Sequence, residues 1–244
     1  NAQHGRERYF VVDVAEALSH DWLEVWYQPK IDAGTLIAHG AEALCRMRHP
    51  VWGVVLPASF IPAYGDPHLR HLSEFVVSRV CKDRLYFADW RPIDIAVNLP
   101  IDLLRDEDFC RFLQEMSSRS SGPGTLILEI SSTEVIRDLP FAQTLAKRFS
   151  AAGIELAVDG VGAEWPLLTG LSDFPFAVIM VGQSFVEGCA ADGPNSAACG
   201  AIVEFAKQAG VSSVAQGVEN RADLSADRAM GFDLVQGFLF GKPM

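Results

Sequence analysis

Glu42 and Arg46 stand four residues apart in Glu42-Ala43-Leu44-Cys45-Arg46. One is a carboxylate able to hold a metal ion, the other a guanidinium able to grip a phosphate. The spacing admits two readings. By propensity, residues 41–47 form a helix, with Glu42 and Arg46 one turn apart as a surface ion pair. As a strand, Glu42, Leu44 and Arg46 point to one side. These five residues do not decide between them. A second pattern lies further along. Five apolar runs carry one polar side chain near their C-terminal ends: Asn98, Glu129, Asp159, Gln216 and Gln236. Ordinary strand-to-loop polarity explains one or two of these. A carboxylate or amide is costly to bury unless paired or bound to a metal, so five of them with Glu42 read as a ring around one pocket.

The elements that must position such a ring are visible as alternation. Short apolar runs at 23–27, 36–44, 93–98, 126–130, 156–161, 177–181, 213–218 and 234–240 are separated by helical patterns at 69–87, 106–116, 139–152, 166–171, 196–209 and 222–230. Eight strands alternating with helices predict an α/β fold, a (βα)8 TIM-like barrel, whose active sites form at the strand C-terminal ends. Gly153 and Gly210 follow helical patterns just before strands, as helix stops do. Residues 1–20 read as a lead-in segment with a short helix at 11–18, and residues 21–244 as one barrel domain. Pro194-Asn195 reads as loop. No sequence repeat is apparent, and no linker divides the chain.

Composition narrows the class. The 244 residues are 49% hydrophobic, enough for one large barrel. A net charge of -11 argues against a nucleic-acid polymer as partner. Five cysteines without CxxC spacing read as reduced core thiols of a cytoplasmic protein. The six histidines have no metal-ligand spacing, and His68 and His71 read as surface or packing residues. Ser131-Ser132-Thr133 reads as a loop cap, and Trp52 and Trp90 as packing or loop residues. No apolar run reaches the length of a membrane span, and no signal peptide is seen. The first residue is not Met and the last are Lys242-Pro243-Met244, so the expectation is a domain excised from a larger protein, one that could itself be membrane-attached, with Asn1-Ala2 left over from the excision.

Trp26-Tyr27-Gln28-Pro29-Lys30-Ile31, Gly40 to Arg46, His49-Pro50 and Leu56 to Pro62 together resemble the signature of the EAL family of cyclic di-GMP phosphodiesterases. The resemblance runs from about Asp21 to Met244. It implies a barrel of EAL type whose first strand is irregular. It implies Mg²⁺ or Mn²⁺ held at Glu42, Asn98, Glu129 and Asp159, with Arg46 on a phosphate of cyclic di-GMP. Gln28, Leu44, Pro57, Gln236 and Phe240 fall where the family holds the guanine bases, and Glu219 matches a further family carboxylate.

The same resemblance exposes gaps. Where the family has two adjacent aspartates followed by Phe-Gly, this chain reads Asp159-Gly160-Val161-Gly162, and the loop that follows is rewritten. Ser132 replaces the second glutamate of the family's Glu-x-x-Glu. The family's strand-six lysine aligns with Met180 and its catalytic glutamate with Gln216. Gly160 offers a second ion no ligand, Met180 no charge, and Gln216 no basic site. The retained set therefore has room for one ion and not two. Loss of a general base costs roughly 10²–10⁴-fold in rate. With two negative charges and one positive lost, the site is less acidic by one unit.

Together these imply a degenerate EAL domain that binds cyclic di-GMP as a receptor and signals through protein contacts or fused domains, with little or no hydrolysis. The alternatives are a slow metal-dependent phosphodiesterase yielding pGpG, in which Glu219 and Gln216 jointly hold a second ion, and a ligand-free interaction module. Family dimers communicate through the loop rewritten here, so a homodimer is only weakly expected. Trp165, within that loop, is placed to cover a guanine.

Overall fold

A computed structural model of the chain describes residues 13–87, 92–120, 124–162, 165–166, 175–187, 189, 191 and 193–244. The strands are β1 (Leu23–Asp32), β2 (Ala38–His49), β3 (Gly53–Val55), β4 (Asp94–Asn98), β5 (Leu126–Ser131), β6 (Ile154–Val161), β7 (Val178–Val181), β8 (Ser212–Gln216) and β9 (Leu234–Gln236). The helices are α1 (Val14–Ser19), α2 (Pro67–Phe87), α3 (Glu107–Arg119), α4 (Ser132–Arg137), α5 (Leu139–Ser150), α6 (Gln183–Val186), α7 (Pro194–Ala209) and α8 (Arg221–Met230). All nine strands join one sheet in the order β1-β9-β8-β7-β6-β5-β4-β2-β3. Because β1 also pairs with β2, the sheet closes. β3 pairs only with β2, so eight strands form the barrel and β3 hangs outside it.

β2 and β4 to β9 run parallel, while β1 is antiparallel to both of its neighbours. The irregular first strand thus takes the form of a reversal, and its cause is local. Residues 33–37 are all that separates β1 from β2, and Asp32 Oδ1 caps the turn by accepting from Thr35 N at 2.7 Å and Thr35 Oγ1 at 2.8 Å. A parallel return needs a crossover of a dozen or more residues; five residues allow only a hairpin. The hairpin register sets Gln28 opposite Glu42, with a register shift between Lys30 and Ile31. Gln28 and Lys30, two residues apart, share the face that looks into the barrel.

The outer core packs helices on the barrel, with Phe109, Phe149, Leu113 and Ile154 fully buried. A second, inner cluster fills the barrel itself: Ala96, Ile127, Ala157, Val178, Met180, Val214 and Leu234. The lead-in helix begins at Val14 on an Asp13 cap, and Gly210 ends α7 in the left-handed conformation. Pro194 is a correction: it opens α7, where its fixed φ suits the first helical turn and its missing N–H costs no bond. The helix expected at 166–171 lies beyond the described residues after Pro166. α4, α6 and β3 were not anticipated, being too short to show a period. All five cysteines are free and buried, and among the described residues no helix is long and apolar enough to cross a membrane.

α8 carries an unusual load. Asp223 and Asp227, one turn apart, are both buried, and Asp227 Oδ2 has no hydrogen-bond partner. Asp227 Oδ1 accepts from Cys189 Sγ at 3.2 Å. Burial, aided by Asp223, pushes the Asp227 carboxyl up to about 6. A carboxyl raised on folding binds its proton more tightly in the folded state, so its contribution is most favourable at low pH and is lost as pH rises toward the folded value. Urea unfolding should therefore show Asp227→Asn gaining about 2 kcal/mol relative to wild type between about pH 4 and pH 7. A pH-independent difference between the two proteins would contradict this.

Candidate functional site

Strands β1, β2, β4, β5, β6, β8 and β9 each bring a polar side chain to the mouth: Gln28, Glu42, Asn98, Glu129, Asp159, Gln216 and Gln236. Register explains the convergence: Asn98 is level with Glu129, Ser131 with Asp159, and Gln216 with Gln236. Glu42 lies on β2, so the strand reading of its segment holds.

Two cavities share this mouth. One, of about 410 Å³, is lined by Leu44, Pro57, Asn98, Glu129 and Asp159 among others. The other, of about 280 Å³, is lined by Gln28, Glu42, Gln183, Gln216, Glu219, Gln236 and Phe238. The expected residues thus divide between two lobes. Phe240 is not among the lining residues; it is partly buried against the outer core, and Phe238 faces the cavity instead. Arg46 also turns away. It is buried, its Nη1 donates to Cys45 O at 2.8 Å, and its guanidinium lies 5.8 Å from the Trp26 ring. Trp165 packs against the outer core.

The polar side chains are engaged with one another. Glu42 accepts from Asn98 Nδ2 on Oε1 and from Gln236 Nε2 on Oε2, both at 2.6 Å. Gln28 donates to Gly241 O at 3.2 Å. Gln216 donates to Asp159 Oδ1 at 2.7 Å. Glu129, 1% exposed, is ion-paired with Lys30, itself 4% exposed. The Lys30 ammonium also lies 3.6 Å from Met180 Sδ. Sequence reasoning did not single out Lys30 or Gln183. The signal for Lys30 was its place two residues after Gln28 on the same strand face. Gln183 packs so closely on Gly217 that a Cβ there would come within 2.3 Å of its Cγ.

Electrostatics follow from this crowding. Burial pushes Glu129 upward, opposed by Lys30 and reinforced by Glu42 and Asp159. Burial and then Glu42 also raise Asp159, while the amide of Gln216 lowers it. Three carboxylates therefore feel one another, and Glu129 Oε2 has no hydrogen-bond partner. Oxygen donors of this kind suit a hard divalent ion. As arranged, however, each carboxylate is turned to an amide or an ammonium. Among the described residues no three His, Cys, Asp or Glu side chains are grouped to share an ion.

At the positions expected to depart from the EAL signature, Gly160 has φ +66 and open space where a Cβ would stand. Ser132, buried, donates to Gly160 O at 3.2 Å and so holds the backbone at the end of β6. Met180 is fully buried in the inner cluster.

The model of the EAL domain family matches residues 11–243. The curated relatives include the bifunctional diguanylate cyclase/cyclic di-GMP phosphodiesterase MucR of Pseudomonas aeruginosa, 30% identical over 251 residues, covering 100% of this chain and 36% of the relative. The cyclic di-GMP phosphodiesterase RocR of the same organism is 29% identical, covering 96% of this chain and 60% of the relative. The chain thus spans between about a third and three fifths of these proteins. Among solved structures, the MucR phosphodiesterase in complex with c-di-GMP superposes with a TM-score of 0.85 at 28% identity, over 95% of each chain. The FimX EAL domain from Pseudomonas aeruginosa bound to c-di-GMP gives 0.82 at 21% identity over 94% of each chain, a likeness of fold.

The contact between Lys30 and Met180 carries a test. Met180→Lys sets two ammonium groups side by side in the barrel and should cost about 2–4 kcal/mol in unfolding free energy. Adding Lys30→Met moves the single charge across the lumen and should recover most of that loss. Equal stability of Met180→Lys and wild type in denaturant titration would show that the lysine is not confined there.

Proposed function

This chain belongs to the EAL domain family, and from that membership we propose that its barrel mouth is a receptor site for cyclic di-GMP with little or no hydrolysis. The observation that carries the reading is the Gln216 amide hydrogen-bonded to Asp159, with side-chain-less Gly160 next to Asp159 on β6 and fully buried Met180 on β7 between them. An amide cannot take a proton from water near neutral pH, a thioether brings no charge, and a glycine cannot hold an ion. Binding makes other demands. A dinucleotide needs concave surface with apolar walls and a few convergent polar groups. Leu44 and Pro57 offer walls; Gln28 and Gln236 offer amides for base edges; Glu219 stands at the rim of the same cavity. Arg46 supplies phosphate recognition once its guanidinium leaves Cys45 O, a swing that exchanges a hydrogen bond to a neutral carbonyl for ones to a charged phosphate. The metal-type residues Glu42, Asn98, Glu129 and Asp159 remain at strand ends, and their donors suffice for no more than one Mg²⁺ or Mn²⁺. Output then passes to a protein partner, a fused domain or a second copy of the chain.

Slow hydrolysis to pGpG is the second reading, and one placement favours it: Glu219 lines the same cavity as Gln216 and Glu42, so a carboxylate is still at hand. Calorimetry and chromatography separate the two. Cyclic di-GMP should give saturable heat, and Arg46→Ala should weaken it about 10- to 100-fold, the range for a hydrogen bond to a charged group. No product should form with Mn²⁺. Absence of heat to high micromolar ligand would remove the receptor reading; turnover abolished by Glu42→Ala would give the site to the enzyme.

A further inference from the structure

Lys30 is the buried cation of the barrel interior among the described residues that meets the site's carboxylates. Its side chain is 6% exposed and its partner Glu129 0%. It enters from β1, the reversed strand, and its flank also borders a small hollow at the opposite end of the barrel with Asp94, Ala96, Ile127 and Val214. The side chain thus runs up the lumen through the inner apolar cluster and delivers its ammonium to Glu129 and Met180. Long lysine stems bury in this way while the head seeks polar company. Here the company is a set of three carboxylates, Glu42, Glu129 and Asp159, that sense one another.

We propose that the Lys30 ammonium is a built-in cation that occupies the deep side of the carboxylate cluster and excludes a divalent ion from it. Three observations support this. Glu129 gives one oxygen to the ammonium, and among the described residues it forms no ion-holding group with Asp159 and Glu42. Glu42 and Asp159 are held by amides from Asn98, Gln236 and Gln216, which occupy carboxylate oxygens and leave their negative charge in place. The ammonium and an incoming dication would lie within a few ångströms of each other in a poorly solvated lumen, where like charges repel strongly. The residues are of the right kind for a hard ion, yet their arrangement is that of a site already neutralised from within.

Mn²⁺ itself is the probe, followed by electron paramagnetic resonance and calorimetry without nucleotide, so the outcome does not depend on whether cyclic di-GMP binds. Wild type should show no saturable Mn²⁺ up to millimolar ion. Lys30→Met should acquire a single site, at least about tenfold tighter than any wild-type binding. Lys30→Met combined with Glu129→Gln should lose it again, since the freed carboxylate is gone. Lys30→Gln, which still donates to Glu129, stands in if Lys30→Met fails to fold by circular dichroism. A stoichiometric Mn²⁺ site in wild type would overturn the proposal, whatever the variants do. So would folded Lys30 variants that gain no affinity.

Discussion

A closed barrel has no edge, so every polar side chain that its strands turn inward must find its partner across the lumen. This constraint shapes the molecule more than any single bond. β1, reversed because five residues cannot carry a crossover, wedges between β2 and β9 and completes the ring. Without it neither Gln28 nor Lys30 would face the mouth, and Glu129 would be a fully buried carboxylate with no counter-ion. Burying one partner of such a pair alone is among the most costly events in a protein interior. The hairpin turn at Asp32 and Thr35, a surface feature, is thereby tied to the charge balance at the barrel's centre.

The same constraint bears on Gly160, Met180, Gln216 and Ser132, the positions where the resemblance to the EAL signature implies other residues. Loss of one side chain from a crowded polar ring leaves its neighbour unpaired, so changes must come together. Gln216 does not abandon Asp159; it converts a carboxylate neighbour into a hydrogen-bond donor and relieves repulsion. Met180 accepts the Lys30 ammonium against its sulfur, where a second cation could not stand. Ser132 reaches the Gly160 carbonyl and keeps the end of β6 in place without a charged side chain. Each change alone reads as drift. Taken with its contact, each one lowers the electrostatic tension of the ring.

Much of the fold was legible because alternation of apolar runs and helical stretches has few three-dimensional solutions. The strand ends that carry Asn98, Glu129, Asp159, Gln216 and Gln236 were readable for the same reason: a polar residue closing an apolar run marks where a barrel strand meets its mouth. Other features depend on long-range geometry. Nothing in the neighbourhood of Lys30 says that its head will meet Glu129, which lies 99 residues away. Arg46 reads as a phosphate contact from type and spacing, yet its guanidinium finds a nearer carbonyl and an indole. Phe238 and Phe240 lie in the turn that follows β9, where no alternation of faces tells which ring turns inward. The direction of β1 was recoverable in principle from the length of its loop.

Binding without turnover, as proposed, is physically coherent because the two draw on different atoms. Recognition of a dinucleotide rests on shape, amides and a guanidinium, none of which must change protonation state. Hydrolysis requires a group that takes a proton and enough positive charge to hold hydroxide beside a phosphodiester. A fixed ammonium can offset carboxylate charge, which eases the approach of an anionic ligand, but it has no lone pair to accept a proton and no open coordination position for water. Under the proposed reading, a lumen neutralised by Lys30 would favour the anion's arrival while withholding the means of cutting it. If Lys30 holds the carboxylates as proposed, the deep cation of this barrel is covalently attached, where a hydrolase needs an exchangeable one that can carry water.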